Sequence, residues 1–187
     1  MIATRTVYYL TGQGGELSKG LGEALLARGL NVVGRELHGE FKTIGFANQI
    51  NAVIDDLTTR SWHDDALVVA NSFGAYLFLH AQAAMPPYIG RVLLLSPIVG
   101  EFASESLQIG FIPPRSKKLF ELAQSRGYSA PMCCEIHVGS EDWQSNPVSV
   151  SAFGRLLRIP VHVVPNGGHM LDKGYVSEVL DRWLTVV

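Results

Sequence analysis

Residues 7–10, 66–70 and 92–95 are unbroken apolar runs of four or five residues. A strand with one wet face alternates apolar with polar residues. Unbroken runs of this length instead fit strands covered on both sides, the mark of a parallel sheet between helical layers. Helical spacing separates them. The pattern predicts strands at 6–10, 31–36, 66–70, 91–95, 132–138 and 161–164. Between them fall helices that carry Leu17, Leu21, Ala24 and Leu25 (ending at Arg28-Gly29) and Phe46, Ile50, Val53, Ile54 and Leu57 (within 45–60). Further helices are predicted at 72–85, 116–126, 148–157 and 173–184. The expected fold is α/β, three layers deep: a mostly parallel six-stranded sheet with helices on both faces. Residues 1–187 are expected to form one domain, with 98–130, where the alternation breaks, as a possible cap insertion.

Composition narrows the function classes. The chain is 47% apolar with a net charge of −2, so it is globular and gives no electrostatic case for nucleic acid or an anionic membrane. Its apolar runs are too short to span a bilayer, and the first six residues lack a signal-peptide layout, so a cytoplasmic location is expected. Cys133 and Cys134 are adjacent within a predicted strand and point to opposite faces, which suits neither a disulfide nor a metal site. His38, His63, His80 and His137 have no metal-ligand spacing and read as surface or scaffold residues, and His162 as a packed or edge histidine. No metal and no cofactor are expected.

The third predicted strand runs straight into a helix through Ala70-Asn71-Ser72-Phe73-Gly74. Small residues two positions either side of a serine at such a turn fit a nucleophile elbow, where the tight backbone leaves no room for larger ones. As an ordinary strand-to-helix connection, the same stretch would use Ser72 as a helix cap. A competing signal lies nearer the N-terminus. Thr11-Gly12, Gly20 and Gly22, with Glu36 closing the second strand, resemble the glycine loop of short-chain dehydrogenases, in which an acid holds a ribose hydroxyl. Seven residues separate Gly12 from Gly20 where that family has three, and no tyrosine is followed four positions later by lysine. A nucleotide-binding oxidoreductase is the alternative reading.

A serine hydroxyl becomes an effective nucleophile when a histidine takes its proton and an acid orients that histidine. After Ser72 come Gly139-Ser140-Glu141-Asp142, behind the fifth strand, and Gly167-Gly168-His169, behind the sixth. All three groups lie at the carboxyl ends of strands, in the order serine, acid, histidine. With these features the chain resembles the α/β hydrolases along nearly its whole length, as a small version lacking the family's first antiparallel strands. The resemblance implies Ser72 as nucleophile, Asp142 as acid and His169 as base. It also implies an oxyanion hole formed by the amides of Phe73 and of Gln13, with Gly14 next to it, since Thr11-Gly12-Gln13-Gly14-Gly15 stands where the family often has His-Gly-x-Gly-Gly. Ala70 and Thr11 depart from the usual glycine and histidine.

Glu141 competes with Asp142, but the Gly-x-x-Asp pattern favours the latter. Asp172 reads as an N-cap of the last helix. The implied activity is acyl transfer from a small-molecule ester or thioester to water. Phe102, Ile109, Phe111 and Trp143 are the candidate substrate-binding residues, and Ser96 a candidate pocket wall. A hydrolase fold that binds without turnover remains the third reading, and oligomeric state is not addressed by the sequence.

Overall fold

The computed structural model describes residues 5–185. Its centre is a six-stranded sheet of β1 (Thr6–Gln13), β2 (Asn31–Leu37), β3 (Leu67–Asn71), β4 (Arg91–Leu95), β7 (Cys133–Gly139) and β8 (Val161–Val164), in the order β2-β1-β3-β4-β7-β8. All five neighbouring pairs run parallel. Every carboxyl end therefore lies on one edge, and the loops that leave this edge build the site.

Period-two alternation splits each central strand between two cores. Tyr8, Leu10, Val68, Ala70, Val92, Leu94, Ile136 and Val138 face α3 (Phe46–Arg60), α4 (Ser72–Gln82), α5 (Lys118–Gln124) and α6 (Pro147–Leu157). Val7, Tyr9, Leu67, Val69, Leu93 and Leu95 face α1 (Leu21–Leu26) and α7 (Lys173–Thr185). The three layers expected from the unbroken apolar runs are thus observed. In α4 every residue from Phe73 to Gln82 is buried, because this helix lies between the sheet and α3 and has no wet face. Asn146 starts α6 by accepting the amides of Val148 and Ser149, and Pro147 suits the first helical position.

Three stretches differ from expectation. The first helix begins at Leu21 and not at Leu17, because Gly20 is left-handed (φ 56°) and the Leu17 amide is drawn out to the Glu36 carboxylate at 2.7 Å. A short α2 (Gly39–Thr43) follows β2. Within 98–130 the chain forms an antiparallel hairpin, β5 (Phe102–Ser104) and β6 (Ile109–Phe111), in which Phe102 pairs with Phe111. Among the described residues no helix is long and apolar enough to cross a membrane.

Candidate active site

Ser72 stands where β3 becomes α4, with φ at 52°, a left-handed value rare for a residue carrying a side chain. The turn closes this tightly because Gly74 lies against β1: a Cβ there would sit 2.4 Å from the carbonyl oxygens of both Leu10 and Thr11. Asn71 fixes the turn from the other side. Its Oδ1 accepts the Tyr9 hydroxyl at 2.9 Å and the Gly12 amide at 3.1 Å, which ties the end of β1 to the elbow. Burial pushes the Tyr9 phenol well up, so it stays protonated and keeps donating to Asn71.

Ser72 Oγ lies 2.8 Å from His169 Nε2. The other ring nitrogen, Nδ1, is 2.9 and 3.0 Å from the two carboxylate oxygens of Asp142. Asp142 is 1% exposed, and its Oδ1 also accepts the amides of Gln144 (2.9 Å) and Ser145 (2.8 Å). The carboxylate is therefore clamped by its own turn before the imidazole meets it. Ser145 adds a brace: its hydroxyl donates to the Ser96 carbonyl at 2.6 Å and lies 3.4 Å from His169 Nδ1. Glu141, the rival acid, is exposed.

Residues 27 positions apart bring the acid and the imidazole together, and glycines make their approach possible. Gly139, the last residue of β7, lies against the loop after β8. A Cβ on it would fall 2.1 Å from the Gly167 carbonyl oxygen and 2.5 Å from that of Gly168. The Glu141 amide donates to the Gly167 carbonyl at 2.8 Å, and the Asn166 amide to Ser140 Oγ at 2.9 Å. Asp172 behaves as expected from sequence, accepting the Tyr175 amide at 3.0 Å in the first turn of α7.

Ser72 and His169 border a cavity of about 1090 Å³, which also takes in Gln13, Phe73, Ser96, Phe102 and Phe111. At the end of β1 and in the loop after it, the amides of Gly12, Gly14 and Gly15 are committed to Asn71 Oδ1, the Leu37 carbonyl and the Gly12 carbonyl. Gln13 lies between them at the cavity. Phe73 occupies the first turn of α4, where amides lack intrahelical acceptors.

The other candidates divide. Phe111 reaches Phe73 (ring centroids 6.4 Å apart) and Phe102 (5.5 Å), and both hairpin phenylalanines face the cavity. Ile109 and Trp143 do not border it. Ile109 lies two residues nearer the hairpin tip, about 7 Å along the strand, and is 53% exposed. Trp143 instead props the ring of Phe102, 5.7 Å away. Glu36, the ribose-binding acid of the dehydrogenase-like reading, is occupied by the Leu17 amide and by His38 at 2.8 Å. Sequence reasoning misses Asn71 and Ser145. Asn71 lay inside the elbow itself, and the Asp-x-x-Ser spacing of an Asx turn was the available signal for Ser145.

No family model and no curated protein matches this sequence. Solved structures resemble its fold. The ydeN gene product of B. subtilis superposes with a TM-score of 0.67 at 13% identity, over 98% of this chain and 100% of that one. Est1E from Butyrivibrio proteoclasticus gives 0.65 at 15% identity, over 97% and 87%. Alpha/beta hydrolase domain-containing protein 10 from mouse gives 0.66 at 15% identity, over 96% and 89%. At these identities the likeness is one of architecture alone: the chain has the α/β-hydrolase fold.

Proposed function

We propose that this protein is a serine hydrolase that cleaves an ester or thioester of an apolar acid through an acyl-enzyme on Ser72. The observation that carries the proposal is the continuous chain of hydrogen bonds from Ser72 Oγ through His169 to the buried Asp142, opening on a cavity. His169 accepts the serine proton at Nε2 as Oγ attacks the carbonyl carbon. Asp142 holds Nδ1–H and so selects the tautomer with a free lone pair facing Ser72. The oxyanion is received by the Phe73 and Gln13 amides. Loss of one such donor costs on the order of 3 kcal/mol of transition-state stabilisation, so their rigid setting matters. The imidazolium then protonates the leaving group. A water deprotonated by His169 releases the acid and restores Ser72. Phe102 and Phe111 offer the acyl or alkyl group an apolar wall, which supports an apolar substrate.

A fluorophosphonate probe and a series of p-nitrophenyl esters test the reading. Ser72 is expected to be labelled, and Ser72→Ala to lose both labelling and turnover with an unchanged melting temperature. A folded protein that turns over no ester or thioester and leaves Ser72 unlabelled would make the fold a binding scaffold instead.

A further inference from the structure

The face of β7 that looks toward α7 is polar where that of β4 carries Leu93 and Leu95. Parity places Glu135 and His137 on that face, and the parallel register sets His137 directly beside His162 of β8. Their imidazole rings stack with centroids 4.6 Å apart. One donor atom from each of Glu135, His137 and His162 falls within 4.8 Å of the other two. None of the three borders the cavity that holds Ser72. Sequence spacing could not reveal this group, since His137 and His162 meet only through strand register.

We propose that Glu135, His137 and His162 form a divalent-metal site, with zinc as the ion that best suits two imidazoles and a carboxylate. The outer surroundings favour it. Tyr175 Oη lies 2.6 Å from His137 Nδ1, the type of second hydrogen bond that orients a metal-binding imidazole and fixes its tautomer. Now His137 Nε2 faces Glu135 Oε1 at 3.0 Å, with a proton between them. A bound cation takes the place of that proton, which passes through solvent to Nδ1 as the ring changes tautomer. Nδ1–H then donates to Tyr175, whose hydroxyl accepts as readily as it donates. Bonds of about 2.0–2.1 Å in a tetrahedral site set donor atoms roughly 3.4 Å apart. The Glu135–His137 edge is close to that already, and His162, exposed at the edge strand, needs a turn of its ring to close the rest. Solvent completes the coordination from that side.

The competing charge is Arg182, whose Nη2 lies 2.6 Å from Glu135 Oε1 and whose Nη1 lies 3.3 Å from Oε2. Metal binding moves the guanidinium onto Oε2 alone, so affinity in the micromolar range is expected and not the far tighter binding of a structural zinc site. Equilibrium dialysis of EDTA-stripped protein against Zn²⁺ near neutral pH tests the site. One ion per chain is expected, with affinity at least tenfold weaker in His162→Ala and in Glu135→Gln. His38→Ala, which alters a separate histidine–glutamate pair, should bind as wild type does. His162 is a surface residue, so its variant retains the fold, and thermal melts check this. No binding at 100 µM Zn²⁺, or undiminished binding by His162→Ala, overturns the proposal.

Discussion

Gly139→Ala is the substitution through which the geometry of the site can be tested most directly. The added methyl would stand 2.1 Å from the Gly167 carbonyl oxygen, 2.4 Å from its carbon and 2.5 Å from the Gly168 oxygen, all main-chain atoms that no rotamer change can move aside. Ordinary contact begins near 3.4 Å, so the acid loop and the imidazole loop must part by about 1.3 Å. His169 Nδ1 now lies 2.9 Å from Asp142 Oδ2. The same displacement taken along that bond leaves them about 4.2 Å apart, beyond hydrogen-bond reach. The variant should then behave like Asp142→Asn, for which a fall in kcat of roughly 10⁴-fold is expected when the acid no longer holds the tautomer. Overpacking at one site costs about 1–3 kcal/mol of stability, so the protein should remain folded. Initial rates on a p-nitrophenyl ester, with melts of the same preparations, supply the measurement, and Glu141→Gln should stay within about twofold of wild type. A folded Gly139→Ala retaining kcat within tenfold of wild type would refute the argument that this glycine contact holds acid and base together.

Two further predictions concern the pocket wall and the core. Truncating Phe111, 41% exposed, should lower stability by only about 1 kcal/mol, below the 3–5 kcal/mol of a buried phenylalanine. It should also flatten an acyl-length preference otherwise worth about fourfold per methylene; an unchanged length profile would remove Phe111 from the substrate site. His80 is 4% exposed, its Nε2 has no hydrogen-bond partner among the described residues, and burial, helped by Arg115, lowers its pKa to about 4. The unfolded chain protonates this histidine near pH 6.5 and the folded one does not. Stability should therefore fall by up to about 3 kcal/mol as pH drops from 6.5 to 4. In urea titrations His80→Leu should lack this part of the slope, and a parallel slope in the variant would contradict the assignment.

Much of this architecture was legible because burial on two faces leaves a plain trace. The apolar runs 66–70 and 92–95 can be little else than inner strands, and the strand-end positions of Ser72, Asp142 and His169 place them on one edge from the sequence alone. The hairpin was not legible. Its strands are three residues each and largely exposed, so neither carries enough alternation to stand out from the surrounding loop. In the sequence, apolar character within 98–130 groups Ile109 with Phe102 and Phe111, and Trp143 joins them as the neighbour of Asp142. Only the position of the hairpin tip and the Trp143–Phe102 packing separate those that reach the cavity from those that do not. The approach of Gly139 to Gly167 was hidden for a different reason. A close contact between two loops 28 positions apart leaves no local pattern, only glycines that look like ordinary turn residues.

The same strand, β7, carries two unlike sets of residues, and alternation explains how they coexist. Ile136 and Val138 close the core beneath α6, while Glu135 and His137 turn to α7. The strand ends at Gly139, and its next turn delivers Asp142 to the site. The loop bearing His169 leaves β8 only a few residues after His162, and it ends at α7, where Asp172 caps the first turn and Tyr175 touches His137. Both ends of that loop are therefore held by the polar group on the α7 side of the sheet as well as by strand pairing. An imidazole that must stay within 3 Å of both a serine and a carboxylate needs such anchoring, because the glycines that let the loops meet contribute no side-chain packing of their own.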